Sequence, residues 1–447
     1  MKKVITYGTY DLLHYGHIKL LERAKALGDY LIVGVTSEDF DKQRGKINVQ
    51  QSLMERVKAV KNTGLADEII IEEYEGQKID DICKYGIDIF TVGSDWKGKF
   101  DYLKEYCDVV YLPRTQGISS TDLRTEKRKI RLGIVGQCPY LDKIIKESNF
   151  VNGIEITSIF TKNMYDMENK FNNIKLKTDN YESLLQNVDA IYILSHPSEH
   201  NKLIENALIN HKHVLCESPI TLSESECEYL FDLARKNDCI LMEAIKTAYA
   251  TAYARMLLLL KGGIIGKIVS IDATCTSLKK FDINDLKKIS DTWNSVSEWG
   301  PIAMLPIFQI LGTKYKQKQI ISNFMKECNN FDLFTKINFI YDNAVASIKV
   351  GKGVKSEGDL IITGEKGYIY IPAPWWKTDY FEVRYENPAE NKRYFYQLDG
   401  EGIRYELATF ARSIEEKRYT TNISNSVSIA ISKVLEDFEN RIDIIEI

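Results

Sequence analysis

The 447-residue chain is missing the features that would place it in several large classes of protein. No apolar run approaches the roughly 18 consecutive residues of a bilayer-spanning helix, which argues against a membrane-embedded protein. Lys2 and Lys3 are followed by a polar turn where a secretory signal would have its apolar core, so a cytoplasmic protein is expected. There is no basic surplus and no lysine-rich tail. A formal net charge of -4 speaks against nucleic-acid or membrane-surface partners and for small molecules. The cysteines, Cys83, Cys107, Cys138, Cys216, Cys227, Cys239, Cys275 and Cys328, lack the close pairing that holds zinc and are expected to be reduced, buried thiols. Internal repeats and low-complexity tracts are absent as well.

What is present is a globular composition, 44% hydrophobic, in a chain too long for one ordinary core. Its organising stretch is Tyr7-Gly8-Thr9-Tyr10-Asp11-Leu12-Leu13-His14-Tyr15-Gly16-His17. Val4 to Thr6 reads as a short buried strand, Gly8 as a sharp turn, and Ile18 to Leu27 as an amphipathic helix. Such a junction receives anionic oxygens at the helix N-terminus. His14 and His17, one helical turn apart, can both donate to a phosphoryl group, and the bare backbone at Gly16 leaves room for it. The alternative for two histidines in a loop is that they face solvent or are satisfied in the core.

Further strands are expected at Tyr30–Thr36, Ile69–Ile71, Ile87–Val92 and Val109–Leu112, with a helix over Gln51–Asn62. This is the alternating order of a parallel sheet. Asp95 follows the end of one strand, where open α/β sheets bind ligands. Arg44-Gly45-Lys46 lies on a polar loop. Arg114, Gly117 and Ser119-Ser120-Thr121 precede a helix expected near Asp122, placing hydroxyls, free amides and a guanidinium together.

The H-x-G-H element, with Gly93-Ser94-Asp95-Trp96-Lys97-Gly98-Lys99-Phe100-Asp101 and Arg114-Thr115-Gln116-Gly117-Ile118-Ser119-Ser120-Thr121, resembles the cytidylyltransferases of the nucleotidyltransferase superfamily. The resemblance covers roughly Met1 to Arg124 and is nearest to the bacterial glycerol-3-phosphate cytidylyltransferases. H-x-G-H alone would also admit adenylyltransferases. The resemblance implies attack of an alcohol phosphate on CTP with magnesium present, giving a CDP-alcohol and pyrophosphate for a polymer such as teichoic acid or capsule. By the same resemblance His14, His17, Lys46 and Arg114 would be catalytic. Thr9, Tyr10, Gly16, Arg44, Arg56, Asp95, Thr115, Gly117, Ile118, Ser119, Ser120 and Thr121 would bind CTP. No all-protein metal cage is visible, and a homodimer or higher homo-oligomer is expected.

A charged stretch, Thr125 to Arg131, marks a boundary, and Ile130-Arg131-Leu132-Gly133-Ile134-Val135-Gly136 reads as the first strand of a dinucleotide fold. With Ile191–Pro197, His200, His213–Pro219 and Gly364-Glu365-Lys366-Gly367, the remainder resembles the glucose-fructose oxidoreductase and inositol dehydrogenase family. The expected fold is α/β: a Rossmann-like nucleotidyltransferase domain (1–127), a dinucleotide-fold domain (128–247), and an α+β domain with a mostly antiparallel sheet (248–447).

The family's catalytic elements are altered here. Its glycine turn falls on Gly136, Cys138 and Leu141, with Pro139 removing an amide. Its Glu-Lys-Pro element is Glu217-Ser218-Pro219, and Ile302 stands where an acid/base residue belongs. Against this, Thr161-Lys162 could suit the phosphorylated ribose of NADP, and Lys246 sits in the helix-entry region of the family's pocket. Gly133, Gly136, Thr161, Lys162, Glu217 and Ser218 thus outline a degenerate NAD(P) site. Two functions stay open: a cytidylyltransferase with an inactive oxidoreductase-like region, or a bifunctional enzyme that first reduces a keto-phosphate with NAD(P)H. A binding protein without activity is the third possibility.

Overall fold

The computed structural model describes residues 1–43, 49, 51–74, 76–113, 129–136, 138, 140–151, 153–162, 171, 174–281, 289, 292–396, 398–417 and 422–447. The chain divides between Lys129 and Ile130 into two compact units. The first alternates strand and helix: β1 (Lys3–Gly8), α1 (Tyr15–Lys25), β2 (Tyr30–Thr36), α2 (Glu38–Gln43), α3 (Leu53–Asn62), β3 (Glu68–Glu72), α4 (Gln77–Tyr85), β4 (Ile89–Gly93) and β5 (Asp108–Leu112). The strands pair in parallel in the order β3-β2-β1-β4-β5.

Period-two alternation of side chains explains why these strands are apolar throughout. Val4, Leu31 and Val33 enter one core with Leu21 and Val60, while Ile5, Ile32 and Phe90 enter another with Ile82 and Leu103. Full burial of each such side chain is worth about 1.5–3 kcal/mol. The strand order reverses between β1 and β4, so a ligand crevice is expected outside the ends of these strands.

Two local expectations are corrected. Helix α1 begins at Tyr15, three residues before Ile18, because the His14 side chain caps it by accepting from the Gly16 amide. Gly8 ends β1 without a left-handed φ, and a Cβ there would lie 3.0 Å from the Tyr10 ring. The glycine makes room for an aromatic ring. Helix α3 is opened by a reciprocal capping box between Ser52 and Glu55.

The second unit begins with a six-stranded parallel sheet. Its strands are β6 (Ile130–Val135), β7 (Ile154–Phe160), β8 (Leu176–Thr178), β9 (Ala190–Ile193), β10 (His213–Glu217) and β11 (Leu241–Ala244), ordered β11-β10-β9-β6-β7-β8. Helices α5 (Leu141–Ser148), α6 (Tyr181–Asn187), α7 (Pro197–Ile209) and α8 (Glu224–Lys236) alternate with them. After α9 (Lys246–Tyr249) and α10 (Thr251–Lys261) comes a nine-stranded sheet running from Lys392–Phe395 at one edge to Ile444–Glu446 at the other. Its pairs are antiparallel except Ile268–Thr276 with Val345–Gly351 and Gln317–Met325 with Ile444–Glu446. Helices α11 (Ser295–Leu311), α12 (Ile403–Glu416) and α13 (Asn425–Glu439) complete it. Both sheets belong to the second unit.

Tyr7 on β1 faces Gly34 on β2, and a Cβ at Gly34 would sit 2.2 Å from the Tyr7 ring. That ring is pinned by its hydroxyl, which donates to Asp81 at 2.8 Å. Gly34→Ala is therefore expected to destabilise the first unit by about 1–3 kcal/mol, read as a lowered urea midpoint.

Candidate active site

The loop between β1 and α1 is fastened from behind by one buried guanidinium. Arg56, fully buried on α3, donates through Nη1 to the carbonyls of Thr9 at 2.8 Å and Thr36 at 2.7 Å, and through Nε to that of Gln51 at 3.1 Å. Asp41 lies 3.5 Å from Nη1 and accepts from the Thr9 hydroxyl at 2.7 Å. Asp11 accepts from the Gln51 amide at 3.0 Å, and the Gln51 side chain accepts from Leu12 at 2.8 Å. These bonds hold Tyr10 at φ 53° and Leu12 at φ 47°. Left-handed backbone in such residues costs on the order of 1–3 kcal/mol each. Arg56, expected on the nucleotide, thus acts first on the loop. Its Nη2 alone has no hydrogen-bond partner among the described residues.

The loop delivers two stacked imidazoles. His14 and His17 have ring centroids 4.0 Å apart, and Tyr10 packs edge-on to His17 at 5.5 Å. His14 Nδ1 accepts from the Gly16 amide at 3.1 Å, so in the neutral ring the proton resides on Nε2. That Nε2 is buried and has no hydrogen-bond partner among the described residues. Burial holds the His14 pKa below its ordinary value, so the ring is neutral at pH 7 and presents one donor.

Beside the loop, a cavity of about 70 Å³ opens at the ends of β1, β2, β3 and β4. This is space for roughly five water molecules. It is lined by Gly8, Thr9, Glu72, Lys78 and Phe100 among others. Lys78, at the start of α4, pairs with Glu72 at the end of β3, and Thr36 donates to Glu72 at 2.8 Å. The Lys78 ammonium also lies 4.8 Å from the Tyr7 ring centroid and 5.6 Å from that of Phe100. Asp95 is exposed in a short helical turn directly after β4.

In the second unit, Gly133 packs under α6, where a Cβ would meet Val188 at 3.0 Å. Gly136 takes a left-handed φ of 91°. Thr161 is buried and Lys162 forms an exposed ion pair with Glu199 at 2.6 Å. Glu217 accepts from Tyr140 at 2.7 Å and from Tyr192 at 3.0 Å, while the buried Ser218 hydroxyl donates to Glu243. Glu298, in the stretch that contains Ile302, is paired with Lys352 and with Lys279. Buried His200 joins the loops after β9 and β10 through Ser195 and Pro219 carbonyls.

Residues 5–126 match the cytidylyltransferase-like family model, and residues 130–245 match that of the oxidoreductase family with an NAD-binding Rossmann fold. A glycerol-3-phosphate cytidylyltransferase of Bacillus spizizenii is 56% identical over 126 residues, which is 28% of this chain and 97% of that protein. The chain belongs to the cytidylyltransferase family. The Staphylococcus aureus glycerol-3-phosphate cytidylyltransferase is 48% identical, covering 28% of this chain and 95% of its own. For the second unit, a 3-ketoreductase from Actinomadura kijaniata, solved with NADP and TDP-benzene, has a TM-score of 0.64. It is 17% identical and covers 72% of this chain and 100% of its own, which shows a shared fold.

In this cytidylyltransferase the structure brings together Thr9, Tyr10, His14, Gly16 and His17 and ties Arg56 to them. Arg44, Lys46, Arg114, Thr115, Gly117, Ile118, Ser119, Ser120 and Thr121 lie outside the described residues. Glu72 and Lys78 were not anticipated. Glu72 closes the Ile69-Ile70-Ile71 strand as Asp95 follows the next one, so the strand-end rule that picks out Asp95 selects Glu72 too. Among the described residues no group of three or more His, Cys, Asp or Glu side chains could hold a metal ion.

Arg56→Met would leave Asp41 buried beside an apolar side chain, so a loss of about 3–5 kcal/mol in the first unit is expected. Chemical unfolding followed by circular dichroism would measure it. The His14 shift gives a second expectation. Protonation would put a hydrogen on Nδ1 and break the Gly16 contact, so turnover falls as pH drops through the His14 pKa. That acid limb should have its midpoint below pH 6.5, the ordinary histidine value; a rate profile with its limb above that point would exclude a neutral His14.

Proposed function

We propose that the first unit transfers the cytidylyl group of CTP to a small alcohol phosphate, with glycerol 3-phosphate as the preferred acceptor. The observation that carries this reading is the pair of stacked histidines at the N-terminus of α1, on a loop whose first residue, Thr9, lines a cavity with an ammonium at its wall. An oxygen of the acceptor phosphate attacks the α-phosphorus, the bond to the bridging oxygen breaks, and pyrophosphate leaves with that electron pair. No covalent intermediate on the chain is needed, because transfers of this kind depend on positioning and charge stabilisation.

Each group has a place in that chemistry. The His14 Nε2–H and His17 donate to the α-phosphoryl oxygens as charge shifts through the transition state. The free amides of the first turn of α1 favour the same oxygens. Lys78 receives the acceptor phosphate, and Glu72, released from it, accepts from the acceptor hydroxyls. Magnesium, when bound, neutralises triphosphate charge. The described residues offer no multi-carboxylate cage, and a magnesium ion that keeps phosphate and water ligands needs none. The second unit contributes no step.

Pyrophosphate release with magnesium, measured for four nucleotides crossed with a panel of alcohol phosphates, tests the proposal. CTP with glycerol 3-phosphate is expected to exceed every other pair; silence with all alcohol phosphates would end it. His17→Ala should lower turnover about 10²–10³-fold with an unchanged melting transition. The double variant Glu72→Gln/Lys78→Met, which leaves no unpaired charge, should raise KM for the acceptor about tenfold or more while leaving that for CTP nearly constant. Losing a hydrogen bond to a charged group, worth about 1.5–3 kcal/mol, has that size.

A further inference from the structure

In the second unit the strand order reverses between β6 and β9, the point where an open parallel sheet takes its dinucleotide. Here the exits of those two strands touch. A Cβ on Gly136 would lie 2.9 Å from the Ser195 amide. Tyr140, at the N-cap of α5, sends its hydroxyl to Glu217 Oε1 at 2.7 Å. Glu217 ends β10, on the far side of β9, so the phenol crosses the crevice mouth. The Lys246 ammonium lies 4.3 Å from the centroid of the Tyr140 ring.

The floor beneath is built to keep it there. Tyr192, fully buried on β9, has its hydroxyl 3.0 Å from Glu217 Oε2 and 2.9 Å from Glu406 Oε1. A phenol has one hydrogen to donate, so a proton on one of the carboxyl groups would let both contacts hold at full strength. Burial raises the pKa of both, in keeping with that shared proton. Helix α5 is anchored as well: Lys143 pairs with Glu401, and Glu147 accepts from Arg404 at 2.7 Å. The parts of the crevice that would receive a cofactor are altered too. Cys138 stands where the close-approach glycine belongs, and Lys162 is already paired with Glu199.

We propose that Tyr140 is the resident occupant of this crevice, its phenol filling the path of a nicotinamide dinucleotide, so that the second unit binds neither NAD nor NADP in the wild-type chain. The residues present do not fit the cofactor that the fold implies, and no hydride step is assigned to them.

The test is a titration of the full-length protein with NADH and NADPH, followed by energy transfer from tryptophan to the nicotinamide. Wild type should give no saturable signal up to millimolar cofactor. Cys138→Gly, which restores the glycine and keeps the phenol, should stay equally silent. Cys138→Gly/Tyr140→Gly should gain saturable binding below millimolar concentration. Pyrophosphate release by each preparation reports separately on the first unit. Saturable binding by wild type, binding by Cys138→Gly as tight as by the double variant, or silence of a double variant that still melts cooperatively would each overturn the proposal. The wild-type titration decides by itself if the double variant does not fold.

Discussion

The buried guanidinium of Arg56 is the constraint on which the first unit's site depends. It spans from α3 to the carbonyls of Thr9 and Thr36, at the ends of neighbouring strands, and so fixes the spacing of the crevice wall. A charge taken fully out of water is tolerated because Asp41 and three backbone carbonyls surround it. The return is geometric. The loop it holds contains two non-glycine residues in left-handed backbone, a conformation that persists only when the surroundings over-determine it.

The two units use the same junction of strand, loop and helix to opposite ends. After β1, the loop turns imidazoles toward the helix start and leaves His14 Nε2 without a hydrogen-bond partner among the described residues. After β6, the corresponding cap residue turns a phenol back across the strand ends, and Glu217 accepts it. A buried donor without a partner favours an acceptor that can enter beside it. A site that its own side chains have satisfied offers a ligand less than water already does.

Charge is handled differently in the two places as well. In the first unit the Lys78 and Glu72 pair sits at the edge of a cavity beside two aromatic rings. In the second, Glu217 and Glu406 meet at one buried hydroxyl, where burial raises the pKa of both and Lys246 and the tyrosine hydroxyls act against that rise.

The sequence by itself determined the alternation of strand and helix in the first unit and the spacing of His14 and His17. Continuous apolar runs such as Tyr30–Thr36 admit only a doubly covered parallel strand once helices alternate with them, and a spacing of three puts two side chains on one helical turn. It also set a thiol at Cys138 and a hydroxyl at Ser218, which are local facts. Only the tertiary structure decided the rest. That Arg56 grips a loop, that Gly8 and Gly34 yield space to Tyr10 and Tyr7, and that Lys78 meets Glu72 beside a cavity depend on strands brought side by side. That Tyr140 reaches Glu217, 77 positions away, depends on the same thing. A contact of that kind has no period and no motif, because its partners are adjacent only after the sheet has formed.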